Sequence, residues 1–377
     1  MAEAFGQQWL HQAFAGRRVL VTGHTGFKGG WLALWLHHLG AKVTGIALEP
    51  EPDTPSFFSA VRLGGLIDHR VADLRNEEEL RAAARDVDAE FLFHLAAQPL
   101  VRRSYEIPAE TLLVNVVGTA RILDIARSMP SLRAAIVVTS DKCYENVEDR
   151  IWGYRETDRM GGADPYSASK GCAELVVASY RRSYFSSPTG PSLASARAGN
   201  VIGGGDWSAD RLIPDLITAA IARKPVLVRN PTSTRPWQHV LEPLAGYLLL
   251  ASRILDEGQV FAGGWNFGPN REGVVSVADL ADEVRRCWDG TLHVCCGSAG
   301  AGPHEAGALA LDNNKARLLL GWEPQLTLAE AVASTVDWYR AHAGGADMRQ
   351  VALRQIEDFV HKSRKPLVPA IQTSEAA

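Results

Sequence analysis

Apolar positions along this 377-residue chain fall into short solid runs that alternate with longer stretches of helical spacing. "RVLVTG" is a short apolar strand. In "GWLALWLHHLG", Trp31, Leu34, Trp35 and Leu39 recur at helical spacing and Gly40 supplies a stop. "AKVTGIAL" is the next strand, so the segment reads as one βαβ unit, which demands a right-handed crossover and a parallel sheet. The rhythm continues through the strand "HRVADL", the helix "NEEELRAAARDV" with Asn76 as its N-cap, and the strand "AEFLFHLAAQ". It continues through a helix "ETLLVNVVGTARILDIARSM" stopped by Pro130, the strand "RAAIVVTS", the helix "PYSASKGCAELVVASYRRSY" and the strand "SLASARAGNVIG". Such alternation predicts an α/β fold with a doubly wound parallel sheet and helices on both faces.

Beyond about residue 200 the rhythm breaks. "GGGDWSADRLIPD" is glycine-rich and irregular, and "PTSTRPWQHVLEPLAGYLLLASRIL" places a loop before an apolar helix. "NKARLLLGWEPQLTLAEAVASTVDWYRAH" reads as two helices joined by a Gly-Trp-x-Pro turn. The expected division is a nucleotide-binding domain over 1–197 and 236–262, and a smaller interleaved α/β substrate domain over 198–235 and 263–364. The segment 365–377 reads as a disordered tail.

Composition narrows the class. A net charge of −4 offers no surface for nucleic acid or for an anionic membrane. Five cysteines (Cys143, Cys172, Cys287, Cys295 and Cys296) form no CxxC and read as reduced thiols of a cytoplasmic protein. The N-terminus lacks the pattern of a signal peptide, and no apolar run is long enough to span a bilayer. His37 and His38 sit on an early helix without a partner pattern, so no metal site is expected.

Two motifs carry chemistry. Gly23, Gly26 and Gly29 of "GHTGFKG" have GxxGxxG spacing between a strand and a helix. Glycines let the backbone approach a pyrophosphate, and the helix N-terminus offers it N–H groups. Thr25, Phe27 and Lys28 belong to the same turn. A ribose-binding acid is expected about 20 residues on, where Ala47 and Leu48 stand with Glu49 just beyond. No Lys or Arg between Val43 and Val61 could meet a 2′-phosphate, so the cofactor reads as NAD. Asp73 and Leu74, at the end of the third strand, could face its adenine. The second motif is "YSASK", which puts Tyr166 and Lys170 on one helix face. A neighbouring ammonium lowers the pKa of a phenol and readies it as a base.

By these motifs the chain resembles the extended short-chain dehydrogenase/reductase family, whose fold is a Rossmann-type sheet and whose members act on nucleotide-diphosphate sugars. The resemblance runs from "VLVTGHTGFKG" to "LGWEPQLTLAEAVASTVDWY", with "HLAAQ", "NVVGT", "RAGNVIG" and "RPWQHV" between. "TSDKCYEN" and "WGYRETDRMGGADPYSASK" are similar to the branch of 4,6-dehydratases that act on CDP-sugars. The resemblance implies conversion of CDP-glucose to CDP-4-keto-6-deoxy-glucose and water, in deoxysugar biosynthesis. It implies that Leu95, Ala96, Ala97, Thr139, Tyr166 and Lys170 join the glycine turn in holding NAD.

The implied catalytic set is Ser140, Asp141, Lys142, Tyr166 and Lys170. Tyr166 takes the C4 hydroxyl proton while NAD takes the hydride, and Ser140 binds the same oxygen. Asp141 and Lys142 then serve the elimination of water across C5 and C6. Carried over from the dTDP-sugar branch, Asp141 is the acid and Lys142 the base; the reverse, with Lys142 as acid, stays open. The implied substrate residues are Gln98, Arg102, Ser140, Asn200, Arg211, Arg235 and His304, an Arg fork being suited to a diphosphate. The helices at 104–129 and 166–184 are expected to pair as a bundle in a homodimer or homotetramer. A 4-epimerase on the same fold would need Ser140, Tyr166 and Lys170 but not the pair at 141 and 142.

Overall fold

The computed structural model describes residues 7–147, 153–289, 291–297 and 308–363. Helix α1 (Gln7–Phe14) precedes strand β1 (Arg18–Thr22), helix α2 (Phe27–His38) and strand β2 (Lys42–Ala47). A short helix α3 (Phe57–Ala60) leads to β3 (Asp68–Val71), α4 (Glu77–Ala84) and β4 (Phe91–His94). Next come α5 (Val101–Glu106), α6 (Pro108–Leu112), α7 (Gly118–Ala126), β5 (Ala134–Val138), α8 (Pro165–Ser183) and β6 (Ser192–Ala198). The remainder holds β7 (Val201–Ile202), α9 (Leu212–Ala222), β8 (Val226–Val228), β9 (Thr234–Pro236), β10 (Gln238–His239) and α10 (Leu241–Glu257). It ends with β11 (Gly263–Phe267), β12 (Val274–Ser276), α11 (Val277–Trp288), β13 (Val294–Cys296), α12 (Leu328–Ala343) and α13 (Met348–Lys362).

The main sheet has seven strands in the order β11-β6-β5-β4-β1-β2-β3, all parallel. Its order reverses beside β1, and an α/β sheet binds ligands at the carboxyl ends of the strands around that point. Every residue of β4, β5 and β6 is buried, as a parallel sheet covered on both faces requires. Alternate residues feed two cores. Val19, Val21, Phe91 and Phe93 face the side covered by α2, α10 and α12, while Leu20, Leu92, Ala135 and Val137 face α4, α7 and α8.

Local signals explain where helices begin. Asn76 caps α4 by accepting from Glu78 N and Glu79 N, as its position predicts. Asp164 caps α8 by accepting from Ser167 N, with Pro165 at the first helical position.

Three expectations change. The single helix expected over 104–129 is broken at Ile107 (φ −129°, ψ 59°), because Pro108 disfavours a helical residue before it, and a π-helical turn interrupts it again at Leu113–Val117. The sheet extends past residue 262: β11 pairs with β6, and Trp265 and Phe267 bury their rings there. Helices α1 and α13 fall outside the expected alternation; α13 packs on α2, with Phe359 edge-on to Trp35 at 6.0 Å. Three two-stranded pairs (β7–β10, β9–β12 and β8–β13) build the smaller region. His304, the thiol of Cys296 and the tail from 365 lie outside the described residues. Among the described residues no helix is long and apolar enough to cross a membrane, and no cluster of His, Cys, Asp or Glu could hold a metal ion.

Candidate active site

The glycine turn follows β1 at the switch point. Gly23 has φ 78°, and a Cβ on it would fall 2.6 Å from Ala96 N. A Cβ on Gly29 would fall 2.1 Å from Gly23 O. Side chains are therefore excluded at both positions, and the turn lies hard against the Leu95–Ala96 backbone. Thr25 ties the turn to the end of β2, its hydroxyl donating to Leu48 O at 2.8 Å. Helix α2 starts at Gly26 without a side-chain cap, so its first N–H groups are left for an anion. Phe27 packs near Gly203. These features fit the diphosphate of a dinucleotide.

At the adenosine side, Asp73 spends its carboxylate on Arg75, which it meets at 2.6 Å. Leu74 is buried against Gly118. Asp73 as placed is a turn former, and Leu74 is a core residue beside the site. Glu49 lies 3.5 Å from His69 Nε2, and His69 Nδ1 shares a proton with His24 Nε2 at 2.7 Å.

The candidate catalytic residues converge on the carboxyl end of β5. Ser140 Oγ donates to Asp141 Oδ1 at 2.9 Å and accepts from Lys142 N at 3.2 Å. Ser140 also lies near the Tyr166 hydroxyl and acts to lower its pKa. Asp141 is 1% exposed, and its Oδ2 has no hydrogen-bond partner among the described residues. Lys142 is half-buried beside it. Lys170 lies one helical turn after Tyr166, its Nζ 5.9 Å from the phenol ring centre. Burial pushes Tyr166 up to about 12, against the Ser140 hydrogen bond and the Arg211 charge, which lower it. Arg211 is thus a cation acting on Tyr166 that the YxxxK pattern does not reveal. Burial brings Lys170 itself down to about 8, against the pull of Cys143 and Glu174.

Arg211, at the N-cap of α9, is held by Asp206 at 2.8 Å and acts electrostatically on Tyr166. Asn200 Oδ1 is buried without a hydrogen-bond partner among the described residues. Arg235 is buried on β9 and donates to Thr234 O at 2.9 Å. Arg102 forms an ion pair with Asp210 at 3.8 Å. Gln98 turns inward: its amide donates to Leu100 O and Thr111 Oγ1 and accepts from Leu100 N. It therefore shapes its own loop, correcting the expectation that it reaches the sugar. Thr139 is likewise engaged, donating to Glu174 Oε1 at 2.5 Å.

Glu174, Arg197 and His94 escaped the sequence reading as contributors, and the reach of Lys28 was only partly read. Glu174 and Arg197 form a buried bidentate pair behind Thr139, at 2.8 and 2.9 Å. The signal was present: Glu174 lies four residues after Lys170, on a helix face that is otherwise buried. His94 is held between Thr22 and Thr119, where burial brings it down to about 3. Lys28 was read as part of the turn, yet its side chain runs to the catalytic cluster, within electrostatic reach of Lys170, Arg211 and Asp141. Burial, then the two cations, brings it down to about 7.

A glycine turn at the switch point and the grouping of Ser140, Asp141, Lys142, Tyr166 and Lys170 around one strand end fit a nucleotide-sugar-modifying enzyme of the short-chain dehydrogenase class. Residues 20–335 match the model of the GDP-mannose 4,6 dehydratase family, and the chain belongs to that family of NAD-dependent nucleotide-sugar dehydratases, which are hydro-lyases. The chain is 47% identical over 357 residues to the CDP-glucose 4,6-dehydratase of Salmonella typhimurium, covering 92% of this chain and 96% of that one. Among solved structures, MoeE5 in complex with UDP-glucose and NAD matches with a TM-score of 0.69 and 26% identity, over 86% of this chain and 99% of that one. The epimerase Mth375 of Methanothermobacter thermautotrophicus matches in fold, with a TM-score of 0.76 and 22% identity over 91% of this chain and 97% of that one.

Proposed function

We propose that this protein converts CDP-D-glucose to CDP-4-keto-6-deoxy-D-glucose and water. The observation that carries the reading is the placement of Asp141 and Lys142 directly after Ser140, beside Tyr166, at one buried strand end. The 47% identity to a CDP-glucose 4,6-dehydratase supports the choice of substrate.

The C5 hydrogen of a hexose is not acidic until C4 is a ketone. NAD supplies the hydride acceptor at C4 and the hydride donor at C6. Its diphosphate is held by the Gly23–Gly29 turn and the first turn of α2, and its nicotinamide ribose by Lys170. Tyr166 receives the C4 hydroxyl proton, and Ser140 hydrogen-bonds that oxygen. Lys142 then removes the C5 proton while Asp141 protonates the departing C6 oxygen, and Lys142 returns its proton to C5. A lysine acts as a base only in its neutral form. Arg211, Arg235 and Asn200 receive the sugar diphosphate.

We further propose a homodimer through the helices at 108–126 and 165–183; it is supported by Leu112, Val117 and Leu175, apolar residues left 41%, 41% and 61% exposed there. The free thiols of Cys172 and Cys295 suit the reducing cytoplasm.

Incubation with CDP-glucose in D2O tests the reaction. A dehydratase yields a nucleotide sugar lighter by one water with deuterium at C5. An unchanged elemental composition, as a 4-epimerase would leave, overturns the reading.

A further inference from the structure

Arg211 depends for its placing on one carboxylate. It stands at the N-cap of α9, after an irregular segment that leaves β7 through Gly203, Gly204 and Gly205. Among the described residues Asp206 is its one ion-pair partner, meeting Nη1 at 2.8 Å. The side chain is 34% exposed, and its other nitrogens are left for a ligand. A guanidinium mounted in this way is only as well placed as the carboxylate that holds it.

Asp206 is buried, and all three of its oxygens are used. Oδ2 accepts from Arg211, Oδ1 from Ser208 N at 3.1 Å, and the carbonyl oxygen from the Tyr339 hydroxyl. The first two bonds close the loop on itself. The third ties it to α12, 133 residues further along the chain. Aromatic rings pack this junction from both sides. Trp207 stands edge-on to Trp338 and Tyr339, each at 5.5 Å, and its ring lies 5.0 Å from that of His342. On the other side Trp31 of α2 donates its Nε1 to Gly204 O at 2.9 Å, and a Cβ on Gly204 would fall 2.0 Å from Trp338 Cγ. The Tyr339 ring would fill its buried place equally well as a phenylalanine. What its hydroxyl adds is a fixed position for the Asp206 backbone.

We propose that Tyr339 is a positioning residue for the substrate: through the Asp206 carbonyl it fixes the carboxylate that holds Arg211, and so presets the guanidinium for the sugar diphosphate. This rests on the reading in which Arg211 receives that diphosphate. A long arginine side chain loses freedom when it grips a ligand, and a fork fixed beforehand has less to lose. The gain therefore appears as affinity for the diphosphate, while the base and the sugar ring gain nothing from it.

The test is calorimetric titration of the NAD-loaded protein with CDP and, separately, with cytidine. Tyr339→Phe weakens CDP about tenfold, the upper end for one hydrogen bond, and leaves cytidine unchanged. KM for CDP-glucose rises by the same factor, while kcat stays within about twofold. Tyr339→para-aminophenylalanine, which restores a donor, brings CDP affinity back. Arg211→Ala weakens CDP about 100-fold. Adding Tyr339→Phe to it changes nothing more, because the hydroxyl acts through Arg211. Unchanged CDP affinity in Tyr339→Phe, equal weakening of CDP and cytidine, or additive effects in the double variant overturns the proposal. Should Tyr339→Phe not fold, Trp207→Leu, at the half-buried edge of the junction, reads the same coupling. Selective loss of CDP affinity there supports the proposal, and equal loss or none overturns it. Unchanged CDP affinity in Arg211→Ala overturns the assignment of Arg211 to the diphosphate, and the role of Tyr339 with it.

Discussion

Two buried polar clusters hang from consecutive residues of one strand end and are built on opposite principles. Thr139 joins the first. Glu174 accepts from Thr139, Ser195 and the Nε and Nη2 of Arg197, and Arg197 Nη1 also donates to the Tyr144 hydroxyl. Each carboxylate oxygen there is met twice. Ser140 joins the second. Asp141 keeps one oxygen unmatched, and among the described residues no hydrogen bond or ion pair engages the Lys28 or Lys142 ammonium. A saturated network fixes a backbone, whereas unsatisfied buried groups cost free energy unless a ligand completes them. The first cluster holds the strand end and α8 in register so that the second can afford to be incomplete.

The comparison breaks hardest at its reactive half. Asp141→Asn should lower turnover by about 1000-fold, within the range for a general acid, with circular dichroism and NAD affinity unchanged; a variant retaining full turnover would remove Asp141 from the chemistry. Glu174→Ala should leave Arg197 buried without its partner and lower stability by about 3–5 kcal/mol, measured by denaturant unfolding. Burial raises the Glu174 carboxyl, but the Arg197 charge and the hydrogen bonds outweigh it and hold the group below the ordinary glutamate range. Its contribution is therefore complete above the ordinary glutamate value and lost as pH falls through the lowered one, so the variant should lack this acid-side loss.

Lys28 sharpens the contrast. It stands at about 7 in the protein, and an arriving diphosphate raises it. Binding of NAD+ should then take up a proton, and affinity should weaken by up to about tenfold per pH unit above about pH 7. Calorimetry in buffers of different ionisation enthalpy should show the uptake in the parent and its loss in Lys28→Met. The smallest effect concerns Glu242, a buried carboxyl that burial raises to about 8 while it accepts from Gln325 N and Leu326 N. Its contribution is complete below the ordinary glutamate value and lost as pH rises through about 8. Glu242→Gln keeps the acceptor, so its melting temperature should exceed that of the parent by about 2–4 °C at alkaline pH and match it in mild acid.

Much of this molecule was legible in one dimension. GxxGxxG and YxxxK are local patterns whose geometry is set by one turn and one helix, so Gly23, Gly29, Tyr166 and Lys170 stand where the spacing puts them. Gln98 and Asp73 show the limit, since a polar residue at a strand end has two outlets, the ligand or its own loop. That choice depends on neighbours such as Thr111 and Arg75. The helix break at Pro108 was readable in principle, since the residue before a proline avoids the helical region.

By itself the sequence determined the alternation of strands and helices, the dinucleotide turn, the tyrosine–lysine pair and the presence of Asp141 beside Lys142. Each depends on contacts within a few residues. The tertiary structure decided which charges meet across the fold. It set Arg211 against Tyr166 and turned Lys28 towards Asp141. Those partners are up to 113 residues apart, and only packing of the sheet against α8, α2 and α9 brings them to one point.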